Sequence, residues 1–362
     1  MKWPSHGSNP QYLFEALNKE MPKEKVDFSA NINPLGPPAI LKENWQSLFH
    51  TITDYPDPKG NLLKEKLANH VGITKDQLLL GNGGAELIYL IARMLAGKRV
   101  VIVQPAFSEY EEACRANGCT IDYHQLQPNQ WKWDFANLSS KLDKADALFL
   151  CNPNNPTGIY YSKSTVLEIL QLCAQKNCFL IVDEAFYDFV LNYEPLIDCI
   201  SDFKNLLIIR SMTKMYAIPG LRLGYLIANR TIINKLITYQ PQWSVNAIAL
   251  KAGEWCLSNE SYRNKTIELV STEKKRLFSF YQSLNFQVSL SATNFYLLKE
   301  PKLKDQFPFF QFLLEKGIIP RHTMNFPGID GEWIRFAIKA PHDNNRLMEA
   351  VVEWRDSLQS SL

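Results

Sequence analysis

From about residue 60 to residue 230 the chain alternates short apolar runs with stretches of helical length, and few architectures accommodate that rhythm. Arg99–Val103, Ala147–Cys151, Phe179–Asp183, Leu206–Arg210 and Leu223–Ala228 are almost wholly apolar, as strands buried on both faces must be. Between and before them, Leu62–Val71, Ala85–Leu95, Ser108–Asn117 and Ser164–Lys176 carry apolar residues at helical spacing, and Gly118 stops the third. This alternation predicts an α/β domain whose mainly parallel sheet is flanked by helices. In open sheets of that kind ligands lie beyond the carboxyl ends of the strands. The polar residues that follow the runs, Gln104–Pro105, Asn152–Asn155, Asp183–Glu184 and Ser211–Lys214, are therefore predicted to meet along one edge.

After Trp243 the pattern changes. A long helical region over about 247–284 leads to strands near 286–298 and 332–338, with helices at 306–316 and 344–357, an α+β arrangement. A chain of 362 residues has room for one large and one small domain, and the division is expected at 40–245 for the large one. The small domain then takes 246–362 together with the proline-bearing segment 1–39. A formal net charge of +2 gives no field that would gather nucleic acid or an anionic membrane, so recognition of an anion must be local. Met1–Gln11 lacks the apolar core of a secretory signal, and no stretch approaches the roughly 20 apolar residues of a membrane span. Seven cysteines, odd in number and without a C-x-x-C pair, read as buried or incidental thiols rather than disulfides or metal ligands. A cytoplasmic protein without a bound metal is expected.

Chemistry is concentrated in a few segments. Ser211-Met-Thr213-Lys214 leaves the end of a buried run, and Arg222 follows eight positions later. An amine flanked by hydroxyls and a guanidinium suits a phosphate-bearing aldehyde, although an isolated lysine of this kind is more often a solvated loop residue. Asp183 ends its run, where a carboxylate either faces a ligand or caps the next turn. Asn152-Pro-Asn-Asn155-Pro-Thr-Gly158 is a turn stiffened by two prolines that presents amide side chains to the same edge. Gly81-Asn-Gly-Gly84-Ala85-Glu86 opens a helix whose free N–H groups can hold an anion, or is merely a tight connection. Arg335 lies in an alternating strand and Arg321 enters a loop, and each either meets an anion inside or faces water. Trp243 and Trp333 read as packing residues.

The order of GNGGAE, PAFSEY, CNPNNPTG, DEAF and SMTK…GLRLGY resembles the fold-type I pyridoxal-5′-phosphate (PLP) enzymes of the aspartate-aminotransferase superfamily, over nearly the whole chain. Within it the sequence is similar to the histidinol-phosphate aminotransferases and, more closely, to the L-threonine O-3-phosphate decarboxylases of cobalamin synthesis. The second likeness rests on His6-Gly7, Asp27–Gly36, Arg210–Tyr225 and Trp243–Ala247. The resemblance implies that Lys214 bonds covalently to the cofactor aldehyde and that Asp183 pairs with its pyridine nitrogen. It implies that Phe107 stacks on the ring and that Asn155 lies beside the phenolic oxygen and within reach of the substrate carboxylate. Ser211, Thr213, Arg222 and the amides of Gly84 and Ala85 would hold the cofactor phosphate, with Tyr55 reaching that of a neighbouring subunit in a homodimer. Arg335 and Arg321 would grip substrate carboxylate and phosphate, with His6, Gly7 and Asn31 closing the pocket.

One position departs from the aminotransferase pattern. Those enzymes usually carry a tyrosine three residues after the pyridine-facing aspartate, where this chain has Phe186, as the decarboxylases do. Tyr187 is expected to point to the other side of a strand-like continuation. The expected activity is thus PLP-dependent decarboxylation of L-threonine O-3-phosphate to (R)-1-amino-2-propanol O-2-phosphate, with serine phosphate as a near analogue. The competing readings are a histidinol-phosphate or related aminotransferase and a non-catalytic protein of the same fold.

Overall fold

The computed structural model describes residues 3–359. Seven strands form one sheet: β1 Leu78–Gly81, β2 Arg99–Gln104, β3 Thr120–Gln125, β4 Ala147–Cys151, β5 Phe179–Asp183, β6 Leu206–Ser211 and β7 Gly224–Ala228. Their order across the sheet is β1-β7-β6-β5-β4-β2-β3. All pairs are parallel except those made by β7, which runs antiparallel to both β1 and β6. This reversal matters for the site. The carboxyl ends of the six co-directional strands and the amino end of β7 share one edge, so Arg222, just before β7, arrives there beside Ser211 and Gly83.

Alternate residues of these strands enter two separate cores, as a period of two requires. Val101, Val103, Leu148, Leu150, Leu180, Val182 and Ile208 pack on one face of the sheet. Val100, Ile102, Phe149, Ile181, Leu207 and Ile209 pack on the other. Burial of each such side chain is worth about 1.5–3 kcal/mol, which fixes the register of the strand ends. Helices Gly83–Met94, Glu109–Ala116 and Lys163–Gln175 cover the sheet, close to the expected bounds.

Two strands of this sheet were not anticipated, and Arg321, expected to enter a loop, lies in a short strand of a second sheet. β1 is four residues long and lies between helical stretches, and β3 is a sheet edge whose sequence Thr-Ile-Asp-Tyr-His-Gln is mostly polar. The region expected as one helix divides into Ala247–Leu257 and Glu260–Ser283, because the Asn259 side chain accepts a hydrogen bond from the Tyr262 N–H and starts a new helix. A four-stranded antiparallel sheet follows, from β8 Gln287–Val288, β9 Phe295–Lys299, β10 Arg321–His322 and β11 Ile334–Ala337, ordered β10-β11-β9-β8. The N-terminal segment joins this part of the molecule, since Val26–Asp27 pairs in parallel with Ile318–Ile319. Among the described residues all seven cysteines are free thiols, six of them buried. No helix there is long and apolar enough to cross a membrane.

Candidate active site

A cavity of roughly 460 Å³ opens at the strand-end edge of the seven-stranded sheet, against the four-stranded part and the N-terminal segment. It falls within the usual range for ligand pockets, about 300–1,000 Å³. Fourteen of the residues expected in a site line it: His6, Gly7, Asn31, Gly84, Ala85, Phe107, Asn155, Asp183, Ser211, Thr213, Lys214, Arg222, Arg321 and Arg335. Tyr55 does not. It stands 81% exposed on the outside, with its ring 4.7 Å from that of Trp243. Trp333 is buried as expected, but Trp243 is 47% exposed, so its packing role is not met within the chain.

Asp183 ends β5 and is buried at the cavity floor. Its Oδ1 accepts from the Ala185 N–H (2.9 Å) and its Oδ2 from the Tyr110 hydroxyl (2.7 Å). Burial pushes this carboxyl above its ordinary value, while Tyr110, Ala185 and the Lys214 ammonium pull the other way. Lys214 lies in the short helix Met212–Met215, whose start is capped by the Ser211 side chain. Burial, reinforced by the Arg222 and Arg335 guanidiniums, lowers the lysine to about 8, so a substantial neutral fraction exists near physiological pH.

Two sets of groups suited to holding an anion face the cavity. In one, helix Gly83–Met94 directs its free N–H groups toward Ser211, Thr213 and Arg222. Gly83 has φ +78°, and a Cβ there would sit 2.5 Å from Arg222 Nη2, so only glycine lets the guanidinium lie over this turn. The two hydroxyls Ser211 Oγ and Thr213 Oγ1 are 2.8 Å apart. In the other, Arg321 and Arg335, both buried, have no carboxylate within ion-pair distance among the described residues. Arg335 donates to Asn155 Oδ1 and the Ser29 carbonyl, and Arg321 to the Ser5 carbonyl, Asn325 Oδ1 and the His322 carbonyl. Burial pushes both arginines down to about 9, yet they remain cationic at neutral pH. Arg335 Nε and Asn31 Oδ1 are buried without hydrogen-bond partners.

The structure separates residues the sequence had grouped. Of the three asparagines in the proline-stiffened turn, only Asn155 faces the cavity; Asn152 donates to the Tyr161 carbonyl and Asn154 to the Pro105 carbonyl, bracing the turn. Phe186 lines the cavity with its ring edge-on to Phe295 at 4.8 Å. Tyr187 does lie elsewhere, but on a 3₁₀ turn rather than a strand, under the Arg210 guanidinium at 4.0 Å. Tyr110 and Glu109 belong to the PAFSEY motif, which by itself assigns neither of them a role. The three-residue separation of Phe107 and Tyr110 on a helical turn was the available signal. One group of metal-ligand type, His6, Glu109 and Glu112, has its ligand atoms within 4.8 Å of one another, and His6 and Glu109 already pair.

PLP fits these residues: a cup of backbone N–H groups, hydroxyls and guanidinium for its phosphate, an enclosed amine of lowered basicity for its aldehyde, and a buried carboxylate for its ring nitrogen. Comparison with known proteins agrees. A family model for class I and II aminotransferases matches residues 23–353. A threonine-phosphate decarboxylase of Salmonella typhimurium is 35% identical over 353 residues, covering 96% of this chain and 95% of that protein. Among solved structures, the histidinol-phosphate aminotransferase of Clostridium acetobutylicum superposes with a TM-score of 0.85 at 30% identity, covering 91% of this chain and 99% of that one. The L-threonine-O-3-phosphate decarboxylase of Porphyromonas gingivalis gives 0.80 at 26% identity, with coverages of 91% and 99%. On the extent of the family match and the PLP-compatible site together, this chain belongs to the class I and II aminotransferase family, with a fold-type I architecture.

Proposed function

We propose that the protein is a PLP-dependent decarboxylase of L-threonine O-3-phosphate, releasing CO2 and (R)-1-amino-2-propanol O-2-phosphate for the side chain of cobalamin. The observation that carries this reading is the pair of buried arginines, Arg321 and Arg335, facing one cavity with Lys214 and without a carboxylate in ion-pair distance among the described residues. Two such guanidiniums suit a substrate with two anionic groups, a phosphate and a carboxylate. The 35% identity to the Salmonella typhimurium decarboxylase supports the same choice.

PLP, when bound, supplies an aldehyde for covalent attachment of the substrate amine and a cationic ring that accepts electrons from a bond at Cα. In this reading Asp183, ionised and held by Tyr110 and Ala185, keeps the ring nitrogen protonated. Ser211, Thr213, Arg222 and the Gly84 and Ala85 N–H groups hold the cofactor phosphate, while Phe107 and Asn155 fix the ring. Arg335 and Arg321 hold the substrate's two anions, with His6, Gly7 and Asn31 at the mouth. Such a grip would decide which bond at Cα is activated when PLP is bound, and Lys214 would be placed to deliver the proton that Cα needs if CO2 departs. A grip that favoured loss of the Cα proton would instead make Lys214 the base that removes it, as amino transfer requires. Phe186, without a hydroxyl, favours the first outcome.

The structural likeness to the histidinol-phosphate aminotransferase keeps amino transfer as the second reading. The experiment supplies O-phosphothreonine alone and, separately, histidinol phosphate with 2-oxoglutarate. CO2 from the first without amino transfer in the second supports decarboxylation; amino transfer alone overturns it. A substrate without phosphate leaves buried guanidinium unpaired, so threonine should be poorer by up to roughly 10⁴-fold in kcat/KM. We further place the protein in the cytoplasm as a homodimer, in which the exposed Tyr55 reaches the partner's cofactor phosphate.

A further inference from the structure

The segment Trp3–Asn9 crosses the cavity mouth as a strap, and nearly all its polar ties run to one side. Arg321 Nη2 and Asn325 Nδ2 donate to the Ser5 carbonyl (2.7 and 3.2 Å), and the Ser8 N–H donates to Ser29 Oγ (2.9 Å). Trp3 is set among Phe307, Phe310 and His322, with ring centroids 4.5–6.3 Å apart. Gly7 presses on Ser29, where a Cβ would come within 2.7 Å of the carbonyl oxygen. On the opposite wall the strap has one polar contact between side chains: His6 Nε2 lies 2.9 Å from Glu109 Oε1, with the His6 ring 5.5 Å from that of Phe107.

Glu109, in the first turn of helix Glu109–Ala116, carries charge of the same sign as the ligand proposed for the cavity. Its side chain, 16% exposed, lines a cavity that also holds Lys214, Arg222, Arg321 and Arg335 and that is proposed to receive two anions. A carboxylate there repels such a ligand unless it does something that outweighs the repulsion. We propose that Glu109 is a positioning residue: through His6 it anchors the strap to the far wall, so that His6 and Arg321 face the substrate's phosphate together. This rests on the proposed reading of the site, and it opposes simple charge repulsion in sign. Repulsion predicts tighter anion binding when Glu109 loses its charge; positioning predicts weaker binding.

The test uses PLP-loaded protein and two probes, O-phosphothreonine in turnover and inorganic phosphate in calorimetry. Glu109→Ala should raise KM for O-phosphothreonine and Kd for phosphate by on the order of tenfold, the size of one charge-assisted hydrogen bond. Glu109→Gln, which keeps shape and fold, should do so more mildly, with the effect on KM rather than kcat. In a His6→Ala background neither change should weaken binding further, because Glu109 would have nothing left to hold. Binding that is unchanged or tighter in Glu109→Ala, or equally weakened with and without His6, overturns the proposal. If the wild type does not turn over O-phosphothreonine, the substrate reading fails, and the phosphate titrations still decide the role of Glu109.

Discussion

Replacing Tyr110 with phenylalanine removes one hydroxyl and leaves the ring, which stacks on Phe149 at 5.4 Å, in place. That hydroxyl is one of two protein donors to the Asp183 carboxylate, at 2.7 Å, the other being the Ala185 N–H. A hydrogen bond to a charged group is worth about 1.5–3 kcal/mol net, so its loss biases Asp183 toward the neutral carboxyl by roughly ten- to hundredfold. Burial already pushes Asp183 in that direction, and the two effects add. A neutral Asp183 cannot hold the proton on the cofactor ring, so kcat should fall by about tenfold and its acid limb should move to higher pH. Apoprotein stability provides a second reading. Because Asp183 binds its proton more tightly folded than unfolded, burying its charge costs stability as pH rises above the ordinary value of 3.8. Tyr110→Phe enlarges that cost, so its loss in melting temperature should be smaller near pH 5 than near pH 8. Steady-state pH profiles and melts of apoprotein at both pH values measure the two effects. A variant with an unmoved acid limb and a pH-independent melting loss would refute the reasoning.

Uptake of PLP by apoprotein should accelerate with pH up to about 8 and then level off, because the neutral amine of Lys214 attacks the aldehyde. A rate still climbing tenfold per unit above pH 9 would mean a lysine of ordinary basicity. Arg335→Lys keeps a charge but cannot reach Asn155 and the Ser29 carbonyl together, so KM for O-phosphothreonine should rise tenfold or more. An unchanged KM in steady-state assays would exclude direct contact with a substrate anion.

Legibility in the sequence followed burial. β4 and β5 were read with their observed bounds because interior parallel strands are continuous apolar runs, and a run that ends in Asp183 announces where its carboxylate emerges. β3 escaped because an edge strand has one side to cover and tolerates polar residues. The lysine, the aspartate and the glycine-rich turn were legible because each lies beside the element that positions it. Tyr110 was not, because its partner is 73 residues away and the contact exists only once the helix packs on the sheet. The same holds for Glu109 and His6, brought together across the whole cavity. Asn152 and Asn154 look identical to Asn155 in sequence, and only the path of the turn shows which amide is free to face the pocket. Trp243 was read as packing from residue type alone, whereas its surroundings within the chain leave it half exposed beside Tyr55.

Every role proposed for the pocket depends on covalent attachment of PLP to the Lys214 amine. Borohydride reduction of PLP-loaded protein, followed by proteolysis and mass spectrometry, should place one pyridoxyl phosphate on the peptide containing Lys214, and none should be found there after Lys214→Ala. Label on a different lysine, or no stable label after saturation with PLP, would contradict the account.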